Sequence, residues 1–134
     1  MLLNKLYVLS SLELSEEQDK ITAYILLNRE HPVFEGHFPG NPILPGVCTV
    51  QIIRELLEKS LGKELLLTRA GNIKYLGFIN PITTSEIQFD LVLKNLETGA
   101  LSCSALVSAG GTARCSFKGE YVISPISSSH IPQL

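Results

Sequence analysis

Apolar residues along this chain fall in short β-forming segments separated by polar turns, and follow a helical period in one long stretch. Residues 21–28 are rich in β-forming side chains and predict a strand, while residues 7–14 predict a short strand or an entry segment. Residues 64–75, 86–94, 101–109 and 112–123 predict four more. Asn95-Leu96-Glu97-Thr98-Gly99 and Gly110-Gly111 are turn sequences, and they join the last three strands into a meander. Residues 46–61 predict the one long helix, ended by Gly62 as a C′ glycine. On a helical projection Val47, Cys48, Val50, Ile52, Ile53, Leu56, Leu57 and Leu61 cover most of its circumference. Gln51, Arg54, Glu55 and Glu58 form the remaining polar stripe, so this helix is expected to be buried on most sides.

Long antiparallel strands and one apolar helix predict an α+β architecture, a curved antiparallel sheet wrapped around a long central helix. This is a hot-dog fold, expected as a single domain over residues 1–123 with a loose Ser- and Pro-rich tail at 124–134. Its open sheet edges are often managed by dimerisation. Composition narrows the function classes. The chain is 45% hydrophobic and 18% charged, as folded globular domains are, and its net charge of −2 gives no field for nucleic acid. No apolar run reaches membrane-spanning length and no signal peptide is evident, so a cytoplasmic location is expected. Cys48, Cys103 and Cys115 lack metal spacing and read as reduced core thiols. No metal site can be assembled.

The segment between the second strand and the helix, residues 29–45, is the chemically distinctive part. It is long for a connector, and Val33, Phe34, Phe38, Ile43 and Leu44 argue against disorder. Prolines fix its backbone, glycines relax it, and it delivers His37 close to a helix start at Gly46. Backbone N–H groups at a helix start can polarise a carbonyl, and a nearby histidine can move a proton.

His31-Pro32-Val33-Phe34-Glu35-Gly36-His37-Phe38-Pro39-Gly40-Asn41-Pro42-Ile43-Leu44-Pro45-Gly46-Val47 closely resembles the active-site segment of the hot-dog 3-hydroxyacyl-acyl carrier protein dehydratases. A weaker likeness runs through the helix and through residues 73–81. The resemblance implies elimination of water from a 3-hydroxyacyl thioester to give a 2-enoyl thioester. It implies that His37 takes the C2 proton, and that Gly46 and the Val47 N–H polarise the thioester carbonyl. It also implies an apolar acyl tunnel beside the helix, with Phe38 at its mouth. The substrate would arrive on the phosphopantetheine of acyl carrier protein, with no other cofactor. The site would lie at the interface of a homodimer or higher oligomer, the acid coming from the partner subunit.

The chain departs from the family at one position. Where the family carries a carboxylic acid, on the second turn of the helix, this chain has Gln51. An amide can hydrogen-bond a hydroxyl but cannot supply a proton. His37 alone would then carry the proton while Gln51 holds the hydroxyl, or Glu55 or Glu35 would substitute for the acid. Otherwise the chain is a non-catalytic acyl-carrier-binding subunit partnering a complete dehydratase, or a hot-dog acyl thioesterase. Plainer expectations stand beside these. Gln51 is simply exposed or at a dimer contact, while Glu35 and His31 are solvated loop residues. Lys59, Lys63, Arg69, Lys74, Arg114 and Lys118 are solvated charges or a docking patch for an acidic carrier.

Overall fold

The computed structural model describes residues 1–125 except His37 and Pro39, so His130 and most of the expected tail lie outside it. Six strands form: β1 (Tyr7–Leu14), β2 (Lys20–Leu27), β3 (Leu65–Tyr75), β4 (Glu86–Asn95), β5 (Leu101–Ala109) and β6 (Thr112–Ile123). Two helices lie between β2 and β3, the short α1 (Val33–Gly36) and the long α2 (Gly46–Leu61). The pattern did not predict α1, because a single turn inside a proline-rich loop is too short to show a period.

All six strands belong to one antiparallel sheet in the order β1-β2-β4-β5-β6-β3. The predicted meander is its centre. The chain leaves the sheet after β2, runs through α1 and α2, returns at the far edge as β3, and crosses back to place β4 beside β2. Alternate side chains of β2, β4 and β5 point inward and are buried. They form one core with Ile52, Ile53, Leu56 and Leu57 of α2. This is the expected α+β hot-dog arrangement.

The burial of α2 differs from expectation. Thr49, Ile52, Ile53, Glu55, Leu56 and Leu57 are buried, but Val47 is 75% exposed and Gln51, Arg54 and Glu58 are half-buried. The outer side of the helix stays open because this sheet covers only one side of it. Gly62 ends α2 in the left-handed conformation, φ 68°, and donates its N–H to the carbonyl oxygen of Glu58 at 2.9 Å.

Phe89 sits in mid-β4, fully buried, opposite Ala23 of β2 and Val107 of β5. Phe89→Ala should cost about 3–5 kcal/mol through the cavity it leaves. Urea unfolding measures this, and a loss under about 1 kcal/mol would show that the core is not packed as described.

Candidate active site

The loop is built by local backbone bonding. His31 Nδ1 accepts the Val33 N–H at 3.0 Å at the start of α1, so this half-buried loop histidine has a structural use. Phe34 drops from α1 into the core, while Glu35 on the same turn is exposed. His37 itself lies outside the described residues. Phe38, about half exposed, exchanges two backbone hydrogen bonds with Asn41, at 3.1 and 2.9 Å, and Gly40 between them takes φ 76°. This tight turn follows from the one residue type that adopts positive φ without strain. Leu44 then donates its N–H to Ile79 O at 2.8 Å, pinning the approach to α2.

Pro45 takes the N-cap position of α2 in an extended conformation, and no side chain caps the helix. The first N–H groups of a helix have no intrahelical acceptor, so Gly46 and Val47 keep donors at this end. The ring of Tyr75 lies directly against Gly46, where a Cβ would overlap its hydroxyl. Beside them opens an apolar cavity of about 360 Å³, lined in part by Ile43, Gly46, Val47, Phe78, Arg114 and Cys115. The structure thus brings Gly46 and Val47 together with Tyr75, Phe78 and Cys115 at one apolar opening. Phe38, Glu35, Gln51 and Glu55 do not line it in this single chain.

Arg114 has a structural use. Its guanidinium donates to Ala109 O at 3.2 and 3.1 Å and to Phe78 O at 3.0 Å, stapling the β5–β6 turn to the segment after β3. Burial raises the Cys48 and Cys115 thiols above their ordinary value and pushes Cys103 up to about 12. Each is therefore a protonated thiol at neutral pH and a poor nucleophile.

The polar stripe of α2 is only partly solvated. Glu55 is 3% exposed, and its carboxylate accepts four hydrogen bonds. These come from the N–H of Leu2 at 2.8 Å, the N–H of Leu3 at 3.0 Å, the Tyr7 hydroxyl at 2.9 Å and the Gln51 Nε2 at 2.8 Å. Burial alone would raise its pKa. The bonds from Gln51, Leu2, Tyr7 and Leu3 outweigh burial and hold the carboxyl below its ordinary value. Tyr7 is pushed far up by burial and by its bond to Glu55. Glu55 is therefore an anchored carboxylate, not the open member of a stripe that a substitute acid requires. Glu58 is used similarly, accepting the Leu65 N–H at 2.8 Å and the Arg54 Nε at 3.4 Å. The spacing of Gln51 and Glu55 was the available sequence signal for their contact, whereas nothing local marked Tyr7.

The ApeI-like family, described as ApeI dehydratase, matches residues 13–110. The chain belongs to the ApeI-like dehydratase family. It is 26% identical over 110 residues to a 3-hydroxyacyl-[acyl-carrier-protein] dehydratase FabZ of Lactiplantibacillus plantarum, covering 77% of this chain and 72% of that protein. A FabZ of Lactococcus lactis is 27% identical over 112 residues, covering 78% and 73%. Among solved structures, the dehydratase heterocomplex ApeI:P from Xenorhabdus doucetiae has a chain of the same fold. Its TM-score is 0.70 at 16% identity, over 86% of this chain and 96% of that one. A hypothetical thioesterase with coenzyme A from Streptococcus pneumoniae also shares the fold, with TM-score 0.62 at 10% identity over 88% and 85%. Among the described residues of this family member, no helix is long and apolar enough to cross a membrane.

The Glu55 anchor has a pH signature. Its folded pKa lies below the unfolded one, so its contribution to stability is complete above the ordinary carboxyl value near 4.5 and is lost as pH falls through the folded value. Wild type should lose Tm faster than Glu55→Gln as pH drops below about 4.5. Parallel Tm-versus-pH curves from calorimetry would contradict this.

Proposed function

We propose that this family member binds a 3-hydroxyacyl thioester on the phosphopantetheine of acyl carrier protein and eliminates water to give the 2-enoyl thioester. The observation that carries the reading is the His37 loop running into the side-chain-uncapped start of α2, beside an apolar cavity. The N–H groups of Gly46 and Val47 polarise the thioester carbonyl, so negative charge can move onto its oxygen when His37 takes the C2 proton. The protonated His37 then returns that proton to the C3 hydroxyl. The C3–O bond breaks, water leaves and the C2=C3 bond forms. Gln51 holds the hydroxyl during the transfer. The acyl chain enters the apolar cavity, and the carrier arm is the only cofactor used.

Assembly belongs to the same proposal. Along β3 and just beyond it Leu66, Ile73, Tyr75, Leu76 and Phe78 are exposed, and β3 is a sheet edge. An unpaired edge with apolar side chains is stable in water when another chain covers it. A second subunit at this edge, as a homodimer or higher oligomer, also covers the open side of α2 that carries Gln51.

Enoyl absorbance measured with 3-hydroxyacyl-carrier substrates of several chain lengths tests the chemistry. Turnover is expected for wild type, falling about 10²–10⁴-fold in His37→Ala. No wild-type turnover at any length, or unchanged turnover in His37→Ala, overturns the reading. A second reading is favoured by the anchoring of Glu55, which leaves α2 without a substitute acid. In it the chain is the acyl-carrier-binding subunit of a heteromer with a complete dehydratase. Co-purification with such a subunit, together with elimination activity gained by Gln51→Glu, would establish it. Release of free carrier thiol would instead identify a thioesterase, because dehydration leaves the thioester intact.

A further inference from the structure

Gln51 and Glu55 are one turn apart on α2, and their contact has a direction. A carboxylate carrying charge can only accept hydrogen bonds, and an amide has one end that donates and one that accepts. Glu55 also receives two backbone N–H groups and the Tyr7 hydroxyl, so the donor-rich surroundings keep it charged. The Gln51 amide must therefore turn its nitrogen to Glu55, as it does at 2.8 Å. Its carbonyl oxygen points the other way and accepts no hydrogen bond among the described residues. Gln51 is half-buried and shares the open side of α2 with the exposed Val47, one turn nearer the helix start.

We propose that Glu55 is a positioning residue that locks Gln51 as a hydrogen-bond acceptor, so that Gln51 selects thioesters whose C3 substituent is a free hydroxyl able to donate to it. This deepens the proposed dehydratase reading and rests on it for the substrate. A hydroxyl that donates its hydrogen to Gln51 Oε1 keeps its lone pairs open for the proton from His37. Gln51 thus orients the leaving group without supplying a proton. The same lock predicts the behaviour of an introduced acid. Gln51→Glu would place two carboxyl groups at hydrogen-bond distance, where one proton is shared and one titration moves well above the ordinary carboxyl range. The groups facing that pair are the Tyr7 hydroxyl from β1 and the Leu2 and Leu3 N–H groups, with Met1, Glu58, Lys59, Lys63 and Glu64 lining the cavity beyond Glu55.

Side-chain NMR on the full-length protein tests the lock without reference to activity. One Nε2 proton of wild-type Gln51 should be shifted downfield and slow to exchange, and this signature should vanish in Glu55→Gln. Carboxyl carbon titration of Gln51→Glu provides a second reading that keeps the Leu2, Leu3 and Tyr7 donors to Glu55. An averaged, fast-exchanging Gln51 amide, or two independent ordinary carboxyl titrations in Gln51→Glu, would overturn the lock. Selectivity is read by comparing binding of 3-hydroxyacyl- and 3-methoxyacyl-pantetheine. Wild type should bind the methoxy compound about tenfold more weakly, and Gln51→Leu should bind both alike. Equal binding of both by wild type overturns the acceptor role. If neither compound binds while the NMR signature is present, the substrate assignment fails and the lock stands.

Discussion

Burial of the apolar side of α2 against the inward face of the sheet sets the position of the other elements. The helix meets the sheet through Ile52, Ile53, Leu56 and Leu57, and the strands answer with side chains such as Ile25, Phe89 and Val107. Once that face is buried, the start of α2 is held at the cavity beside Tyr75, and the long loop has to deliver the chain there. The described part of the loop is held by local bonds, His31 Nδ1 to the Val33 N–H and the Leu44 N–H to Ile79 O. The site is thus placed by core packing and shaped by backbone chemistry.

The polar stripe of α2 shows what burial does to charge. A carboxylate removed from water is costly unless donors replace its hydration. Glu55 receives four, and in return fixes the N-terminal segment, Tyr7 and the Gln51 amide. Glu58 does comparable work at the start of β3 through the Leu65 N–H. Glu55, a candidate substitute acid, and its stripe neighbour Glu58 are therefore both built into the frame. That is why the substitution at Gln51 matters, since a neighbour already committed as an acceptor is poorly suited to supply a proton.

The sheet is uneven in how it treats its two sides. Strands β2, β4, β5 and β6 alternate buried and outward residues, but β3 beyond Leu67 is exposed residue after residue. Within that stretch Tyr75 lies against Gly46 at the start of α2, yet it stays more than half exposed. The open side of α2, with Val47 and Gln51, shows the same incompleteness. Both follow from one helix being too narrow to cover a six-stranded sheet.

Much of this was legible in the linear pattern. Strand-forming segments between turn residues located five strands to within a residue or so, with residues 7–14 open as a strand or an entry segment, and the apolar helical run located α2, because both are local consequences of which side chains must leave water. The segment from His31 to Val47 pointed to the family through its resemblance, which is legible in the residues themselves. Strand order was not legible, since the return of β3 to the far edge depends on where α2 packs. The state of Glu55 was not legible either. Its spacing from Gln51 suggested a helix-surface pair, but burial and three of its four donors come from Leu2, Leu3 and Tyr7, about fifty positions away in the chain. Residue types settled which chemistry this chain can offer, and folding settled which groups remain free to perform it, because only packing determines which polar atoms are already taken.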